Sequence, residues 1–246
     1  MPDESNAAEP IEIRAGTELP ARREEIELHT SDGLTLVGEL ALPLSGAPAA
    51  TLVTLHPLPT HGGFMDSHVL RKAAARLPAL ADLAVLRFNL RGVTSPRGTS
   101  DGAFDGGESE RFDVEAAMRF VEERGLPHPW LVGWSFGTEL TLRYGAQYPI
   151  DGAILLSPPL HRASAEEVAA WEGNGKRLVA IVPELDDYLR PDEARERFAS
   201  VPSMELVAVE GGKHLWVGEQ QVRRVLNEIV ARVNAAAYPL PTSYVP

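Results

Sequence analysis

A serine between two glycines is the group in this sequence whose surroundings most clearly suggest chemistry. An apolar run over residues 130–134 leads into Gly133-Trp134-Ser135-Phe136-Gly137, and a helical pattern follows from Thr138. A strand, a sharp turn and a helix would hold the Ser135 hydroxyl clear of a sheet, where it could attack an acyl carbon. The glycines lack a Cβ, so strand and helix could approach closely around the serine. The N–H of Phe136 would open the helix and face a developing oxyanion.

A serine nucleophile needs a general base, and the base needs a partner that fixes its tautomer. In a strand–turn–helix site of this kind, the acid and then the histidine follow the serine along the chain. His161 and His214 are the two histidines after Ser135. His214 follows the last predicted strand in a glycine-containing loop, whereas His161 precedes every candidate acid. The chain order therefore favours His214 as the base.

The candidate acids lie in one loop between a predicted strand and a predicted helix. Asp186 and Asp187 both lie there, with Glu184 as a more distant candidate. Either aspartate could instead cap the helix that begins near Pro191, although Asp192 and the proline already suit that role. The residues alone leave Asp186 and Asp187 as alternatives.

A second donor to the oxyanion is expected from the loop after the predicted strand 50–56. Pro57 has no N–H, so Leu58 is the next donor, and Thr60 is the alternative. The Leu58 side chain would also line the acyl site. We predict substrate contacts from His61, in the same loop, and from Trp134, beside the serine.

The remaining histidines of this region do not form a recognisable metal motif. His56 ends a strand and is expected to bond to the backbone, and the spacing of His56, His61 and His68 matches no ligand pattern. The sequence therefore predicts neither a metal nor another cofactor.

Alternating strand and helix patterns must position these residues. A hairpin over residues 26–40 precedes five or six repeats of strand and helix, which predicts a mostly parallel sheet with helices on both faces. Ligands bind beyond the carboxyl ends of the strands in such sheets, and every candidate residue lies at such an end. The predicted strands are 50–56, 83–88, 130–134, 152–157, 177–182 and 204–209, and the main predicted helices are 67–77, 110–124, 138–148, 191–199 and 218–236.

Composition limits the classes of function. The chain has 246 residues, no cysteine and a net charge of −12. An acidic surface argues against nucleic acid and anionic membranes as partners, and the absence of cysteine excludes disulfides and thiolate chemistry. The N-terminus lacks the apolar segment of a secretory signal, so we expect a cytoplasmic protein. The charged residues of the long loop 91–107, Arg91, Asp101 and Asp105, are expected to be solvated.

Several motifs together resemble the α/β-hydrolase superfamily over residues 24–236. The resemblance is strongest to its small lidless bacterial serine hydrolases. It implies that fold, with about eight strands and an N-terminal antiparallel hairpin, and it implies Ser135 as nucleophile and His214 as base. The motifs are His56-Pro57-Leu58, Gly62-Gly63-Phe64-Met65-Asp66, residues 86–93, Gly133-Trp134-Ser135-Phe136-Gly137, residues 155–159, the acid loop and Glu210-Gly211-Gly212-Lys213-His214.

The acid loop departs from the pattern of the superfamily. Where members commonly have Gly-x-x-Asp, this chain has Pro183 in place of the glycine. Counting from Pro183 gives Asp186, which we prefer, and counting back from Pro191 gives Asp187. Only residues 158–175 occupy the place where many members insert a cap domain, so we expect an open site.

The expected organisation is a flexible arm over residues 1–23, one domain without a large cap over 24–236 and an irregular tail over 237–246. The expected activity is serine hydrolysis of a carboxylic ester or related acyl bond in a small molecule. The alternatives are an acyltransferase or peptidase with the same triad, and a non-catalytic binding protein on the same fold. The sequence makes no prediction of the oligomeric state.

Overall fold

An eight-stranded sheet forms the centre of the chain in a computed structural model, which describes residues 9–245. The strand order is β8-β7-β6-β5-β3-β4-β2-β1. Strands β1 and β2 form an antiparallel hairpin and β2 is antiparallel to β4, whereas all other neighbours are parallel. This is the predicted sheet. Its strands are β1 Arg22–His29, β2 Thr35–Leu42, β3 Ala50–Leu55, β4 Leu83–Phe88, β5 Pro129–Trp134, β6 Gly152–Leu156, β7 Arg177–Pro183 and β8 Glu205–Val209.

Helices cover both faces of the sheet, as the alternating pattern predicted. Successive side chains of a strand point to opposite faces, so Leu131 of β5 packs into one apolar core while Trp130 and Val132 pack into the other. Helices α2 and α3 pack on the first face, and α1 and α6 on the second. The helices are α1 His68–Ala81, α2 Glu110–Glu123, α3 Phe136–Tyr144, α4 Ala165–Ala169, α5 Pro191–Arg197 and α6 Glu219–Val233. Within residues 9–245, no helix is both long enough and apolar enough to cross a membrane.

The inner strands are mostly apolar and are buried along their whole length because both of their faces are covered. Every residue of β3, β4 and β6 is buried, whereas in β1 at the sheet edge only Leu28 is buried and the other residues are exposed or half-buried. Burying one leucine or valine side chain contributes about 1.5–3 kcal/mol, so these strands form a stable platform. The loops at their carboxyl ends are therefore held by rigid elements.

The two ends of the described chain are more ordered than predicted. Residues Ile11–Glu12 pair with Ser243–Tyr244 in a short antiparallel ladder. Leu19 is buried, and its N–H donates to the carbonyl of Ala75 at 2.8 Å. The structure differs at these paired segments from the predicted flexible arm over 1–23 and irregular tail over 237–246, because each segment supplies the other's hydrogen-bond partners. Residues 1–8 of the predicted arm and Pro246 of the predicted tail lie outside the described residues.

The long loop after β4 is held by a buried ion pair and not by solvated charges. Arg91 is 4% exposed and donates to the carboxylate of Asp113 on α2 at 2.8 Å and to that of Asp32 at 2.9 Å. Burial raises the pKa of Asp113 to about 6, against the lowering effect of Arg91. Asp101 and Asp105 accept backbone hydrogen bonds. The expectation of solvated charge is wrong for Arg91, whose partners are distant in sequence, whereas Asp101 and Asp105 are exposed.

Candidate active site

Ser135 lies in the turn between β5 and α3, in a backbone conformation that few residues adopt. Its φ and ψ are 51° and −114°. A non-glycine residue at positive φ costs about 1–3 kcal/mol, which the surrounding contacts must offset. The N–H of Ser135 donates to the carbonyl of Leu156 in β6 at 2.9 Å, which ties the turn to the neighbouring strand.

The two glycines around Ser135 are required by close backbone approach. A Cβ at Gly133 would lie 2.4 Å from the carbonyl oxygen of Gly137, and a Cβ at Gly137 would lie 2.0 Å from that of Leu55. No side chain fits at such distances. Strand β5, helix α3 and strand β3 therefore meet at Ser135 only because these positions carry no side chain.

His214 connects Ser135 to Asp186. The Nε2 atom of His214 lies 2.9 Å from the Oγ of Ser135, and its Nδ1 lies 3.0 Å from both carboxylate oxygens of Asp186. Asp186 and His214 are both buried. A carboxylate only accepts, so Nδ1 carries the hydrogen and the lone pair of Nε2 faces the serine hydroxyl. This is the arrangement that a general base requires.

Of the three candidate acids, only Asp186 contacts His214. Its Oδ1 also accepts the backbone N–H of Tyr188 at 2.8 Å, which turns the carboxylate inward. Asp187 instead lines the cleft above the site. Glu184 accepts the N–H of Gly211 at 2.8 Å and so links the acid loop to the histidine loop.

Trp134 does not lie where a substrate could contact its side chain, which corrects the prediction. Its indole is buried, packs against the ring of His68 with the ring centres 5.2 Å apart, and donates from Nε1 to the carbonyl of His214 at 3.2 Å. Trp134 shares a strand face with Val132, so strand alternation turns it away from the cleft. The Oγ of Ser157 donates to the same carbonyl of His214 at 3.1 Å.

Tyr188 is a site residue that the sequence reasoning missed. Its ring centre lies 4.5 Å from that of His214, in an edge-to-face contact that covers the imidazole. The ring centres of His161 and Tyr188 lie 5.6 Å apart, so His161 contacts the aromatic cover of His214, while His214 itself contacts Ser135. The only signal for Tyr188 was an aromatic residue beside the candidate acids.

A cleft of about 550 Å³ opens over Ser135. The N–H groups of Phe136 and Leu58 have no acceptor within residues 9–245, and the first N–H groups of a helix such as α3 have none inside it. His61 lines the cleft, which places it where a substrate contact is possible, whereas Thr60 does not line it. The lining residues are Pro57, Leu58, His61, Ser135, Phe136, Pro159, His161, Arg162, Asp187, Tyr188, His214 and Leu215.

The loop that carries Leu58 is braced by a buried histidine. His56 is fully buried, accepts the N–H of Leu90 on Nε2 at 3.1 Å, and therefore donates from Nδ1 to the carbonyl of Pro57 at 2.7 Å. Burial lowers the pKa of His56 to about 4, so the ring is neutral near pH 7. His56 bonds to the backbone, as predicted, and fixes the direction of the chain before Leu58.

No metal site is apparent in the part of the chain that the structure describes. Residues 9–245 contain no group of three histidine, aspartate or glutamate side chains placed to hold a metal ion. The ring of His68 contacts the carbonyl of Trp216 at 3.2 Å, while both ring nitrogens of His56 contact backbone groups. These histidines therefore contribute to packing.

Comparison with known proteins identifies the class to which this fold and site correspond. The family model for the alpha/beta hydrolase fold matches residues 59–232, so the chain belongs to that family. The resemblance inferred from the sequence is confirmed at this level. A search of curated proteins found no match.

Solved structures resemble the chain over most of its length. A serine hydrolase without a lid from Xanthomonas campestris is 25% identical, with a TM-score of 0.71 and coverage of 92% of this chain and 100% of that chain. A serine hydrolase homologue from Coxiella burnetii is 24% identical, with a TM-score of 0.72 and coverage of 85% and 96%. An esterase from Pyrococcus furiosus is 18% identical, with a TM-score of 0.68 and coverage of 91% and 99%.

Proposed function

We propose that this protein is a serine hydrolase that cleaves a carboxylic ester or a related acyl bond in a small molecule. The observation that carries the proposal is the continuous contact from Ser135 through His214 to buried Asp186, at 2.9 and 3.0 Å. The strained turn at Ser135 and the cleft above it support the same role. The hydrolases among the similar structures are consistent with this chemistry.

The proposed reaction proceeds through an acyl-enzyme. The Oγ of Ser135 attacks the acyl carbon while Nε2 of His214 takes its proton, and Asp186 stabilises the imidazolium that forms. The electron pair of the carbonyl moves to its oxygen, which accepts hydrogen bonds from the N–H groups of Phe136 and Leu58. The tetrahedral intermediate collapses with cleavage of its bond to the alcohol, which leaves with the proton from His214. Water then attacks the acyl-enzyme while Nε2 of His214 takes a proton from it. That proton passes to the Oγ of Ser135 as the acid is released.

Acyl transfer and peptide hydrolysis would use the same catalytic groups. In acyl transfer an alcohol or amine accepts the acyl group in place of water, and in peptide hydrolysis the leaving group is an amine. The short segment after β6, with only α4 in place of a cap domain, leaves the cleft open to water and favours hydrolysis. Competition between water and added alcohols or amines for the acyl group would distinguish transfer from hydrolysis. We also propose that the enzyme needs no cofactor and that it is located in the cytoplasm.

The test is the hydrolysis of short p-nitrophenyl esters by the native protein and by variants. Ser135→Ala and His214→Gln should each lower kcat by about 10³-fold or more, because nucleophile and base act as one unit. His29→Gln is a matched control because His29 is exposed in edge strand β1, outside the cleft. Full activity in Ser135→Ala would contradict the proposal, whereas a native protein that hydrolyses no ester would favour a binding function.

A further inference from the structure

One wall of the cleft is attached to the helix that carries the nucleophile. Glu139 lies on α3, one turn after Ser135, and is completely buried. Its carboxylate accepts the backbone N–H groups of His161 at 2.7 Å, Arg162 at 3.1 Å and Ala163 at 2.7 Å. Hydrogen bonds to an ionised acceptor are about twice as strong as neutral ones. The segment 161–163 therefore has a fixed position relative to Ser135.

Arg162 presents a preorganised cation in this wall. Its Nε donates to the carbonyl of Gly106 at 3.1 Å, and its guanidinium lies over the ring of Phe136 at 5.3 Å from the ring centre. Both contacts orient the side chain while leaving its two Nη groups without an acceptor or a carboxylate partner in residues 9–245. Arg162 lines the same cleft as Ser135.

The negative charge of the rest of the molecule makes the Arg162 guanidinium important for any anionic substrate. The protein carries a net charge of −12, and Asp187 also lines the cleft. An anionic substrate would be repelled by both, so its binding requires a local cation. The planar fork of an arginine matches the two oxygens of a carboxylate, and an oriented arginine loses little rotamer entropy on binding.

We propose that Arg162 binds a carboxylate group on the substrate, so that the enzyme prefers acyl substrates with a second, negatively charged end. Glu139 is the positioning residue that holds Arg162 in place. This inference rests on the proposed hydrolase function and adds the substrate class. The carboxylate can belong to the acyl chain or to the leaving alcohol, and two pairs of esters distinguish these cases.

The test compares matched charged and neutral esters. One pair is p-nitrophenyl hydrogen adipate and its methyl-capped form, and the other is 3-carboxy-4-nitrophenyl butyrate and 4-nitrophenyl butyrate. We expect Arg162→Gln to lower the charged-to-neutral ratio of kcat/KM at least about tenfold for one of the pairs. Glu139→Gln should lower the same ratio through a higher KM for the charged ester.

A matched control is available on helix α2. Arg111 also lies over a phenylalanine ring, that of Phe112 at 4.4 Å, but it does not line the cleft. Arg111→Gln should leave the ratio unchanged. Arg162→Lys should retain part of the preference, because it keeps the charge and loses the fork.

The outcomes separate this inference from the function on which it rests. If Arg162→Gln leaves both ratios unchanged while the native protein hydrolyses the neutral esters, Arg162 recognition is overturned and the hydrolase proposal stands. If the native protein hydrolyses none of these esters, the binding of a carboxylate to the protein can be measured instead. Adipate should bind calorimetrically to Ser135→Ala about tenfold more tightly than to the protein that also carries Arg162→Gln. The charged leaving group, 5-hydroxy-2-nitrobenzoate, is measured in the same way. If neither anion binds more tightly to Ser135→Ala than to the protein that also carries Arg162→Gln, the inference is overturned even if the protein hydrolyses no ester.

Discussion

The indole Nε1 of Trp134 donates a hydrogen bond to the backbone carbonyl of His214 at 3.2 Å. This contact joins strand β5, which ends just before Ser135, to the loop that carries His214, although the two residues are 80 positions apart. Ser157 donates to the same carbonyl at 3.1 Å. Two strand ends thus fix the main chain of His214, and the imidazole then needs only Asp186 to orient it.

Trp134→Phe tests whether this contact positions the base. The change leaves the His214 carbonyl with one donor fewer, so we expect stability to fall by about 1 kcal/mol and kcat to fall about threefold to tenfold. Trp171→Phe is the matched control. Trp171 is equally buried and donates from Nε1 to the carbonyl of Leu142 at 3.1 Å, outside the cleft. It should lose similar stability on thermal unfolding and keep its kcat. Equal kcat values for the two variants would contradict a positioning role.

The two adjacent aspartates should differ sharply in kinetics. Asp186→Asn replaces the acceptor of the His214 Nδ1–H with a group that favours the wrong tautomer, so kcat should fall by about 10³–10⁴-fold. Asp187→Asn changes only a residue of the cleft wall and should alter kcat/KM less than about tenfold. Steady-state kinetics with one ester decides between them. A larger loss from Asp187→Asn would reverse the assignment of the acid.

Gly137 should not tolerate a side chain. A Cβ there would lie 2.0 Å from the carbonyl oxygen of Leu55, so Gly137→Ala must separate α3 from β3. We expect a loss of about 3 kcal/mol or more, or no folded protein. Gly16 has nothing within 4 Å of an added Cβ, so Gly16→Ala should be nearly neutral. Urea unfolding of both variants measures the difference, and comparable stability would show that the close approach at the elbow is not limiting.

Buried His56 should make stability depend on pH. Burial lowers its pKa to about 4 in the folded protein, from a usual value of 6.5. As the pH falls from 6.5 towards 4, the unfolded chain binds the proton first, so the stability from the neutral ring is lost. His56→Gln cannot titrate, and its stability relative to the native protein should rise by about 3 kcal/mol between pH 7 and pH 4.

Glu110 changes the stability with pH in the opposite direction to His56 over part of the same pH range. Burial raises its pKa to about 7, so its contribution to stability decreases as the pH rises from 4.5 to 7. Because both proteins contain Glu110, its effect cancels in the difference between them. Urea unfolding at a series of pH values gives that difference, and a constant difference would contradict the account of His56.

The fold was predictable because its main signals are local. Continuous apolar runs predicted the inner strands, and the glycines around Ser135 predicted the close approach at the turn. The pairing of Ile11–Glu12 with Ser243–Tyr244 had no such signal, since two residues on each side carry no periodicity. The ion pairs of Arg91 were equally hidden, because a loop arginine shows no trace of an acid 22 positions away.

The candidate site was predictable in its order and less so in its side-chain directions. The sequence suggested His214 through its place after the last strand, but Asp186 and Asp187 are adjacent and alike in type. Tertiary contacts separate them, since the N–H of Tyr188 holds the Asp186 carboxylate inward. The burial of the Trp134 side chain was predictable from the alternation of side chains along a strand. Residues 130, 132 and 134 are one strand face, and that face packs into the core away from the cleft.

The central claim is that Ser135 is a nucleophile activated by His214. Its most direct test is labelling with a fluorophosphonate probe, followed by mass-spectrometric mapping of the modified residue. The native protein should carry one label, on Ser135, while Ser135→Ala should carry none and His214→Gln should react far more slowly. A native protein that stays unlabelled, or that is labelled at another residue, would contradict the account.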